Sequence, residues 1–179
     1  MAMITSDSPL RIGAAEAGAG FASIVYGDLA ALIERLHRRF HDLVSLEIKR
    51  AGIEDLNSTQ ALLIHKIGED TLNVGHLTLR GYYIGSSVTY NLKKLVDAGY
   101  VEQQRPGHDR RIIQIRLTEK GLALRRCLEE IFEHHAEALV GFGFSEGEVG
   151  RLPEMLYRLE RFWNRQMDLL TTRPAIGAD

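Results

Sequence analysis

The sequence contains a single cysteine, Cys127, among its 179 residues. One cysteine can form neither an internal disulfide nor a four-cysteine metal site, so the sequence gives no sign of a disulfide framework. No apolar run approaches the roughly 18 residues that a membrane-spanning helix needs. The segment 1–20 also lacks the continuous apolar stretch of a secretory signal. These absences predict a cytoplasmic protein with one folded domain and no membrane partner.

The sequence also lacks the motifs of the common enzyme classes. It has no G-x-S-x-G, no P-loop and no G-x-G-x-x-G. Glu129 and Glu130 are neighbours along a predicted helix, so their carboxylates point in different directions and cannot share a substrate. We therefore predict that the protein is not an enzyme and needs no cofactor.

Seven histidines invite a metal interpretation, and only His37 and His41 have a favourable spacing. They lie four residues apart with Asp42 alongside, but no H-E-x-x-H motif is present. We therefore predict solvated or core roles for the histidines and no metal site. Cys127 falls near the predicted buried stripe of a helix, where a free cysteine usually serves as a small hydrophobic residue rather than as a peroxide sensor.

Charge is distributed unevenly, although the formal net charge is only -2. Residues 57–121 contain nine Lys or Arg and six Asp or Glu, a balance of +3, while residues 1–56 and 122–179 balance to -2 and -3. A basic centre between acidic flanks places any footprint for a polyanion in the middle of the chain. An inert solvated surface would carry the same balance, so the charge alone identifies no partner.

Apolar residues recur with helical spacing through most of the chain. Between 22 and 51 they fall at positions 29, 32, 33, 36, 40, 43, 44 and 48, which predicts one long amphipathic helix ending before Gly52. Shorter helices are predicted from Asn57, whose side chain can form a capping box with Gln60, and from Asn73. A further helix spans about 86–98 and is terminated by Gly99.

The apolar period then changes from 3.6 to 2 residues. Residues 100–104 and 112–117 alternate as two strands, and the turn residues between them predict a β-hairpin with a charged tip. Thr118 is predicted to cap a helix that runs to about residue 140. Ser145 and Glu148 form a capping box before a last helix that runs to about residue 170.

Three short helices followed by a hairpin is the element order of a DNA-binding fold. The elements together predict a mainly α fold with a small β-hairpin wing, a winged helix-turn-helix with long flanking dimerisation helices. The predicted order is a disordered arm, a dimerisation helix, the DNA-binding region, two more dimerisation helices and a disordered tail, at residues 1–21, 22–56, 57–121, 122–170 and 171–179.

The helix at 86–98 has the composition of a DNA recognition helix. Such a helix presents short polar side chains to base edges in the major groove and cations to the phosphates one turn later. The serines and the threonine are also ordinary helix-start residues, and Tyr90 could instead pack in the core with its hydroxyl satisfied. The predicted DNA contacts on this helix are Ser86, Ser87, Thr89, Tyr90, Asn91, Lys93 and Lys94.

The hairpin tip supplies the second predicted set of DNA contacts. A narrow minor groove has an enhanced negative potential that attracts arginine. One arginine of the tip would reach DNA while Asp109 holds the other, and the sequence does not assign these two roles. An ordinary solvated turn is the alternative. The predicted DNA contacts on the tip are Arg105, His108, Asp109, Arg110 and Arg111.

Two stretches resemble the MarR family of transcription regulators: GSSVTYNLKKLVDAGYV at 85–101 and HDRRIIQIRLTEKG at 108–121. The wing of that family reads Asp-x-Arg, then alternating apolar residues, then Leu-Thr-x-x-Gly. Those places are occupied here by Asp109, Arg111, Leu117, Thr118 and Gly121. The resemblance covers about residues 24–170. The stretch RGYYIGSSVTYNLKKLV further resembles the branch of regulators that control an L,D-transpeptidase, a cell-wall enzyme.

The resemblance implies a homodimer that binds a pseudo-palindromic operator in double-stranded DNA. It also implies that a small-molecule effector enters a crevice between the dimerisation helices and the winged helix and releases the DNA. The apolar helix at 149–170 independently requires a partner surface. The alternative function is a winged helix used for protein–protein contact without specific DNA binding. The residues expected to line the crevice, chosen from helical facing, are His41, Val44, Leu62 and His65.

Arg110→Ala is expected to weaken DNA binding on every sequence and to lower the slope of log K against log salt by about one, because one fewer counterion is released from the phosphates. Fluorescence anisotropy over a salt series measures this slope, with the wild-type chain as the reference. An unchanged slope would remove Arg110 from the groove and phosphate contacts.

Overall fold

The computed structural model describes residues 19–75, 85–104 and 113–172. The chain divides into two compact units, Met1–Thr59 and Gln60–Asp179. The mainly α fold with a small antiparallel sheet agrees with the fold class that the sequence predicts. The helices and strands are, in chain order, α1 (Ala19–Arg50), α2 (Ser58–Ile67), β1 (Leu72–Asn73), α3 (Gly85–Asp97), β2 (Val101–Gln104), β3 (Gln114–Leu117), α4 (Glu119–Gly141) and α5 (Glu146–Thr172).

In the first unit, α1 is the long helix that the apolar spacing predicts, and it begins at Ala19 rather than at residue 22. It ends at Arg50, before Gly52, as expected. The Gly52 N–H donates to the Lys49 carbonyl at 3.0 Å, and the Ile53 N–H donates to the Ile48 carbonyl at 2.9 Å. These two hydrogen bonds satisfy carbonyls that the last helical turn would otherwise leave open.

The predicted apolar stripe of α1 is only partly buried. Val44 and Ile48, near the C-terminal end, are almost inaccessible to solvent. Leu36, Phe40 and Leu43 belong to the same stripe and are exposed. Helical periodicity therefore located the apolar face correctly, but only part of that face is buried.

The sheet has three antiparallel strands in the order β1-β3-β2. Strands β2 and β3 form the predicted hairpin, in a register that runs from Val101 opposite Leu117 to Gln104 opposite Gln114. Both strands are shorter than predicted. Val101, Ile115 and Leu117 are buried, and this is the alternation expected of a sheet with one face on the core.

The third strand, β1, was not predicted. Leu72 and Asn73 pair with Ile115 and Gln114 of β3. Two residues are too few for a period-2 pattern to be recognised. The predicted helix does begin directly after Asn73, because residues 74 and 75 are helical and Asn73 Oδ1 accepts a hydrogen bond from the Gly75 N–H at 2.9 Å. The rest of the helix predicted there, from residue 76 to 84, lies outside the described residues.

A turn of three residues, 98–100, joins α3 to strand β2. Gly99 has φ +76, a conformation that favours glycine. The Gly99 N–H donates to the Val96 carbonyl at 3.0 Å, and the Tyr100 N–H donates to the Leu95 carbonyl at 2.9 Å. This pair of bonds ends α3 as predicted. The Tyr100 carbonyl then accepts the Thr118 N–H at 3.1 Å, which joins the end of α3 to the start of α4.

The first turn of α4 lies directly against the Tyr100 carbonyl. Thr118 caps the helix as predicted: its Oγ1 accepts the Gly121 N–H at 3.2 Å and donates to the Gly99 carbonyl at 2.7 Å. A Cβ added at Gly121 would lie 2.2 Å from the Tyr100 carbonyl oxygen and 3.2 Å from the Leu117 side chain. Only glycine allows the two backbones to approach this closely.

The predicted capping box at the start of α5 is confirmed. The Ser145 N–H donates to the Glu148 carboxylate at 2.9 Å, and the Glu148 N–H donates to Ser145 Oγ at 3.3 Å. The hydrogen bonds from the Ser145 side chain and backbone lower the pKa of the Glu148 carboxyl. The helix continues through Pro153, which has no N–H for the Val149 carbonyl.

The second unit has one apolar core, and α5 contributes little to it. In the described part of the chain, no residue of α5 is fully buried, and its apolar residues Leu152, Leu156 and Leu170 are exposed. Among the described residues, no helix is both long enough and apolar enough to cross a bilayer. The core contains Ala61, Leu62, Leu63, Ile64, Ile67, Val88, Leu92, Leu95, Tyr100, Val101, Ile115, Leu117, Leu124 and Leu128.

Gly121→Ala is expected to lower the free energy of unfolding by about 2 kcal/mol or more, because the new methyl group forces α4 away from the Tyr100 carbonyl. Chemical denaturation measures the change. Gly150→Ala is the matched control: an added Cβ there meets nothing within 4 Å, and alanine in a helix should raise stability by about 0.5 kcal/mol or more. Equal effects of the two substitutions would contradict the steric argument.

Candidate nucleic-acid interface

The interface is built on α3, which has a buried and an exposed face. Val88, Leu92 and Leu95 are almost fully buried, so their spacing of four and three residues anchors one face of the helix in the core. Helical geometry then turns the intervening side chains outward. The exposed side chains in the described part of α3 are Thr89, Tyr90, Lys93, Lys94 and Asp97.

Tyr90 belongs to the exposed face. Its side chain is 61% exposed, which excludes the alternative that it packs in the core. The Lys94 Nζ lies 5.9 Å from the centroid of the Tyr90 ring, one turn along the same face. The contact favours a lysine side chain that stays close to the ring. An aromatic ring and two cations are thus presented together on this side of α3.

Asn91, which the sequence predicts as a DNA contact, lies on the buried side of α3. It is only 7% exposed. Its Nδ2 donates to the Ser87 carbonyl at 2.9 Å and lies 3.4 Å from Ser87 Oγ. Ser87 is half-buried, and the side chain of Ser86 lies outside the described residues. The amide of Asn91 is therefore directed at the first turn of α3, and these hydrogen bonds are made within the helix itself.

The structure describes the base of the predicted wing. The tip residues Arg105, His108, Asp109, Arg110 and Arg111 lie outside the described residues. At the base, Glu102 of β2 is directly opposite Arg116 of β3, and the two side chains form an ion pair. An exposed pair contributes no more than about 1 kcal/mol. The pair nevertheless holds the Arg116 guanidinium along the hairpin.

Lys120 contributes to the junction behind α3, and the sequence analysis gave it no role. Its Nζ donates to the Ala98 carbonyl at 3.1 Å and lies 3.9 Å from the centroid of the Tyr100 ring. A cation at the C-terminal end of a helix is stabilised by the helix dipole. The sequence signal available for Lys120 was its position two residues after Thr118 in the predicted wing motif.

A second junction joins the segment after α2 to α4. Arg125 of α4 donates from Nη1 to Glu69 at 2.7 Å and from Nη2 to Glu129 at 2.7 Å. The Arg125 side chain is only 19% exposed, so this guanidinium is better shielded from water than the other arginines in ion pairs. This ion pair could not be predicted from the sequence, because Glu69 and Arg125 are far apart along the chain.

The four residues predicted to line an effector crevice belong to both units. In the first unit, His41 Nδ1 lies 3.0 Å from Ser58 Oγ, and Val44 is buried. In the second unit, Leu62 is buried and His65 is half-buried. The crevice that these residues would form remains a prediction.

His65 has the most perturbed environment of the four. Its ring packs edge-on against Phe132, with ring centroids 5.1 Å apart. Within the described residues, its buried Nδ1 has no hydrogen-bond partner. Burial lowers the pKa of His65, and the charges of Arg125 and Lys66 lower it further, whereas Glu129 raises it.

The remaining histidines and Cys127 form no metal site in the part of the chain that the structure describes, where no three His, Cys, Asp or Glu are grouped to hold an ion. The His37 and His41 rings contact edge to face with centroids 4.6 Å apart. The two histidines whose spacing would suit a metal site therefore contact each other through their rings. Cys127 is a half-buried cysteine of α4.

Comparison with known sequences identifies two informative relatives. A family model for the MarR family matches residues 54–112. The exopolysaccharide II synthesis transcriptional activator ExpG of Rhizobium meliloti (strain 1021) is 36% identical over 140 residues, which span 78% of this chain and 72% of that protein. The HTH-type transcriptional regulator SarZ of Staphylococcus haemolyticus (strain JCSC1435) is 33% identical over 103 residues, which span 57% and 68%. These relatives are transcriptional regulators and not enzymes.

Solved structures share the fold. Streptococcus pneumoniae FabT in complex with DNA superposes with a TM-score of 0.65 at 20% identity, covering 79% of this chain and 99% of that one. The transcriptional regulator SlyA superposes with a TM-score of 0.69 at 18% identity, covering 80% and 99%. At these identities the similarity demonstrates a common architecture of helices and a small sheet.

The free energy of unfolding should fall as the pH drops below about 6.5, the ordinary pKa of histidine. The folded-state pKa of His65 lies below that value, so between the two pKa values the unfolded chain binds more protons and acid favours unfolding. His65→Gln should make this acid loss shallower, as measured by urea denaturation across pH 5 to 8. All other titratable groups are the same in both proteins. An identical pH profile would show that His65 is not responsible.

Proposed function

The chain belongs to the MarR family of transcription regulators, and from that premise we propose that it is a homodimer that binds an operator in double-stranded DNA sequence-specifically. We further propose that a small-molecule effector modulates this binding. The observation that carries the proposal is the exposed face of α3, where Thr89 and Tyr90 lie beside Lys93 and Lys94. This arrangement matches a helix that reaches base edges and phosphates in a major groove.

The contacts divide between two grooves in this proposal. Ser86, Ser87 and Thr89, near the N-terminal end of α3, approach the base edges, and Lys93 and Lys94 approach phosphates. The tip residues 105–111 approach the minor groove, which attracts arginine. Structures of FabT and of Staphylococcus aureus MepR were both solved with DNA, which supports a DNA-binding role for this chain.

The homodimer is proposed from apolar surface that one protomer leaves exposed. In α1 the exposed apolar residues include Leu36, Phe40 and Leu46, and in α5 they include Leu156 and Phe162. Long helices with this much exposed apolar surface mark an interaction site. A second copy of the chain is the occupant proposed here, because a two-fold dimer would present two α3 helices to the two halves of a pseudo-palindrome.

Effector control is proposed through the crevice that His41, Val44, Leu62 and His65 would line. A ligand can release DNA only if it binds the DNA-free conformation more tightly than the DNA-bound one. His65 is the half-buried member of the set in the second unit, and it offers a ring nitrogen beside the Phe132 ring.

Two narrower assignments accompany the proposal. The resemblance of residues 80–96 to regulators of an L,D-transpeptidase suggests a target gene in cell-wall synthesis. A cytoplasmic location follows from a role on DNA. The alternative function is a winged helix that contacts another protein without specific DNA binding. The exposed lysines of α3 favour DNA, because a protein-only interface usually has few lysines at its centre.

DNA binding can be tested by fluorescence anisotropy with the DNA upstream of the protein's own gene, at two salt concentrations and with scrambled DNA as competitor. We expect tight binding that resists the competitor and weakens steeply with salt, because several phosphates are contacted. Lys93→Ala should weaken binding to all sequences and reduce the salt dependence. Weak, salt-insensitive binding equal to that of scrambled DNA would support the protein-contact alternative.

Sedimentation velocity tests the homodimer. We expect the wild-type chain to sediment as a dimer and Leu156→Glu to shift it toward monomer, because the substitution places a charge on the exposed apolar stripe of α5. Glu154→Ala is the control, since Glu154 lies on the opposite side of α5 and is exposed. A wild-type monomer, or dimers of equal stability in all three proteins, would contradict this interface.

A further inference from the structure

Asn91 and Ser87 form a hydrogen-bonded pair whose direction can be deduced. A backbone carbonyl only accepts hydrogen bonds, so the Asn91 atom 2.9 Å from the Ser87 carbonyl must be the amide nitrogen and not the amide oxygen. The same nitrogen lies 3.4 Å from Ser87 Oγ. An amide NH2 group only donates, so in this contact the Ser87 hydroxyl oxygen is the acceptor.

This direction determines what the Ser87 hydroxyl can offer to DNA. A serine hydroxyl has two lone pairs and one hydrogen. Asn91 engages one lone pair, and within the described part of the chain the hydroxyl has no other hydrogen bond. Within that part of the chain the hydroxyl hydrogen therefore has no acceptor, so it can be donated to a partner outside the helix. Ser87 is half-buried in the first turn of α3, so part of the residue is accessible from the surface.

Stability alone does not explain an asparagine at this position. Asn91 is 7% exposed and lies next to the buried stripe formed by Val88, Leu92 and Leu95. Burying an amide costs free energy that an apolar side chain would avoid, and asparagine is also a poor helix former. The two hydrogen bonds to Ser87 offset part of this cost. What an apolar residue could not supply is control of the Ser87 hydroxyl.

We propose that Asn91 is a positioning residue that makes Ser87 a hydrogen-bond donor to an acceptor on a base edge in the major groove. The proposal rests on the proposed DNA-binding function. Guanine presents N7 and O6 as acceptors, adenine presents N7, and thymine presents O4, whereas cytosine presents only its amino group as a donor. Ser87 therefore discriminates against cytosine at the base that it contacts. Asn91 contributes to this discrimination without touching DNA itself.

The test begins with selection of full-length wild-type protein on a pool of random-sequence double-stranded DNA, followed by affinity measurements on the selected operator and its single-base variants. Ser87→Ala identifies the base pair that Ser87 contacts, because discrimination against cytosine is lost there. Asn91→Ala is expected to reduce the same discrimination at the same base pair by about fivefold, the value of roughly one hydrogen bond. In the double variant, Asn91→Ala should have no further effect on that discrimination.

Base preference separates this role from a merely structural one. Loss of folded protein would lower affinity for all sequences equally and leave the ratio between bases unchanged. Lys93→Ala is the matched control on the same helix, and it should lower affinity without altering base preference at the Ser87 position. Thermal melting of each variant confirms that the proteins compared are folded.

Each contrary outcome has a distinct meaning. No selected operator for the wild type would overturn the proposed function and this inference with it. An operator whose base preferences survive Ser87→Ala would overturn the inference alone, because Ser87 would then contact no base. Base preference that changes in Ser87→Ala but not in Asn91→Ala would show that the hydroxyl needs no positioning by Asn91.

Discussion

The close approach of the Tyr100 carbonyl to the first turn of α4 is the constraint on which the placement of α3 depends. That carbonyl accepts the Thr118 N–H and lies where a Cβ on Gly121 would be. The end of α3, the start of β2 and the start of α4 therefore meet within a few residues. Because backbone atoms make the contact, it leaves little freedom for α3 to tilt relative to the hairpin. Lys120 reinforces the same junction through the Ala98 carbonyl.

Anchoring α3 in the core also selects the side chains that it presents outward. Val88, Leu92 and Leu95 can be buried only if the helix has one rotation about its axis. That rotation exposes Lys93 and Lys94 and turns Asn91 inward. Stability and the proposed DNA contact thus depend on the same periodicity, and a helix rotated by one residue would lose both. Asn91 is the exception that links the two faces, since a buried side chain bonds to the Ser87 hydroxyl.

In the long helices α1 and α5, apolar residues at helical spacing are often exposed rather than buried. Their apolar residues are spaced as in a core helix, yet much of that surface is exposed, including Phe40 in α1 and Phe162 in α5. Exposed apolar surface of this extent costs free energy in water, at about 25 cal/mol for each Å² that could be buried. Such a cost is tolerated in a chain that buries the surface against a partner. The apolar periodicity of α1 and α5 therefore supports the proposed dimer interface.

The sequence by itself determined the features that depend on near neighbours along the chain. Helical periodicity, the caps at Thr118 and Ser145, and the ends at Gly52 and Gly99 follow from interactions within about five residues. The pairing of β2 with β3 was predictable because a hairpin joins adjacent strands. The mainly α fold with a small antiparallel sheet could be predicted from that element order.

Only the tertiary structure decided the features that join distant residues or depend on burial. Strand β1 is two residues long and forms by pairing with the edge of β3, so no local sequence pattern predicted it. The bridge from Arg125 to Glu69 crosses 56 positions of sequence. Asn91 looked like any polar residue on a recognition helix until its burial was known. In each case the outcome depends on the packing of groups that are distant along the chain. Local sequence patterns do not identify such groups, because they come together only when the chain folds.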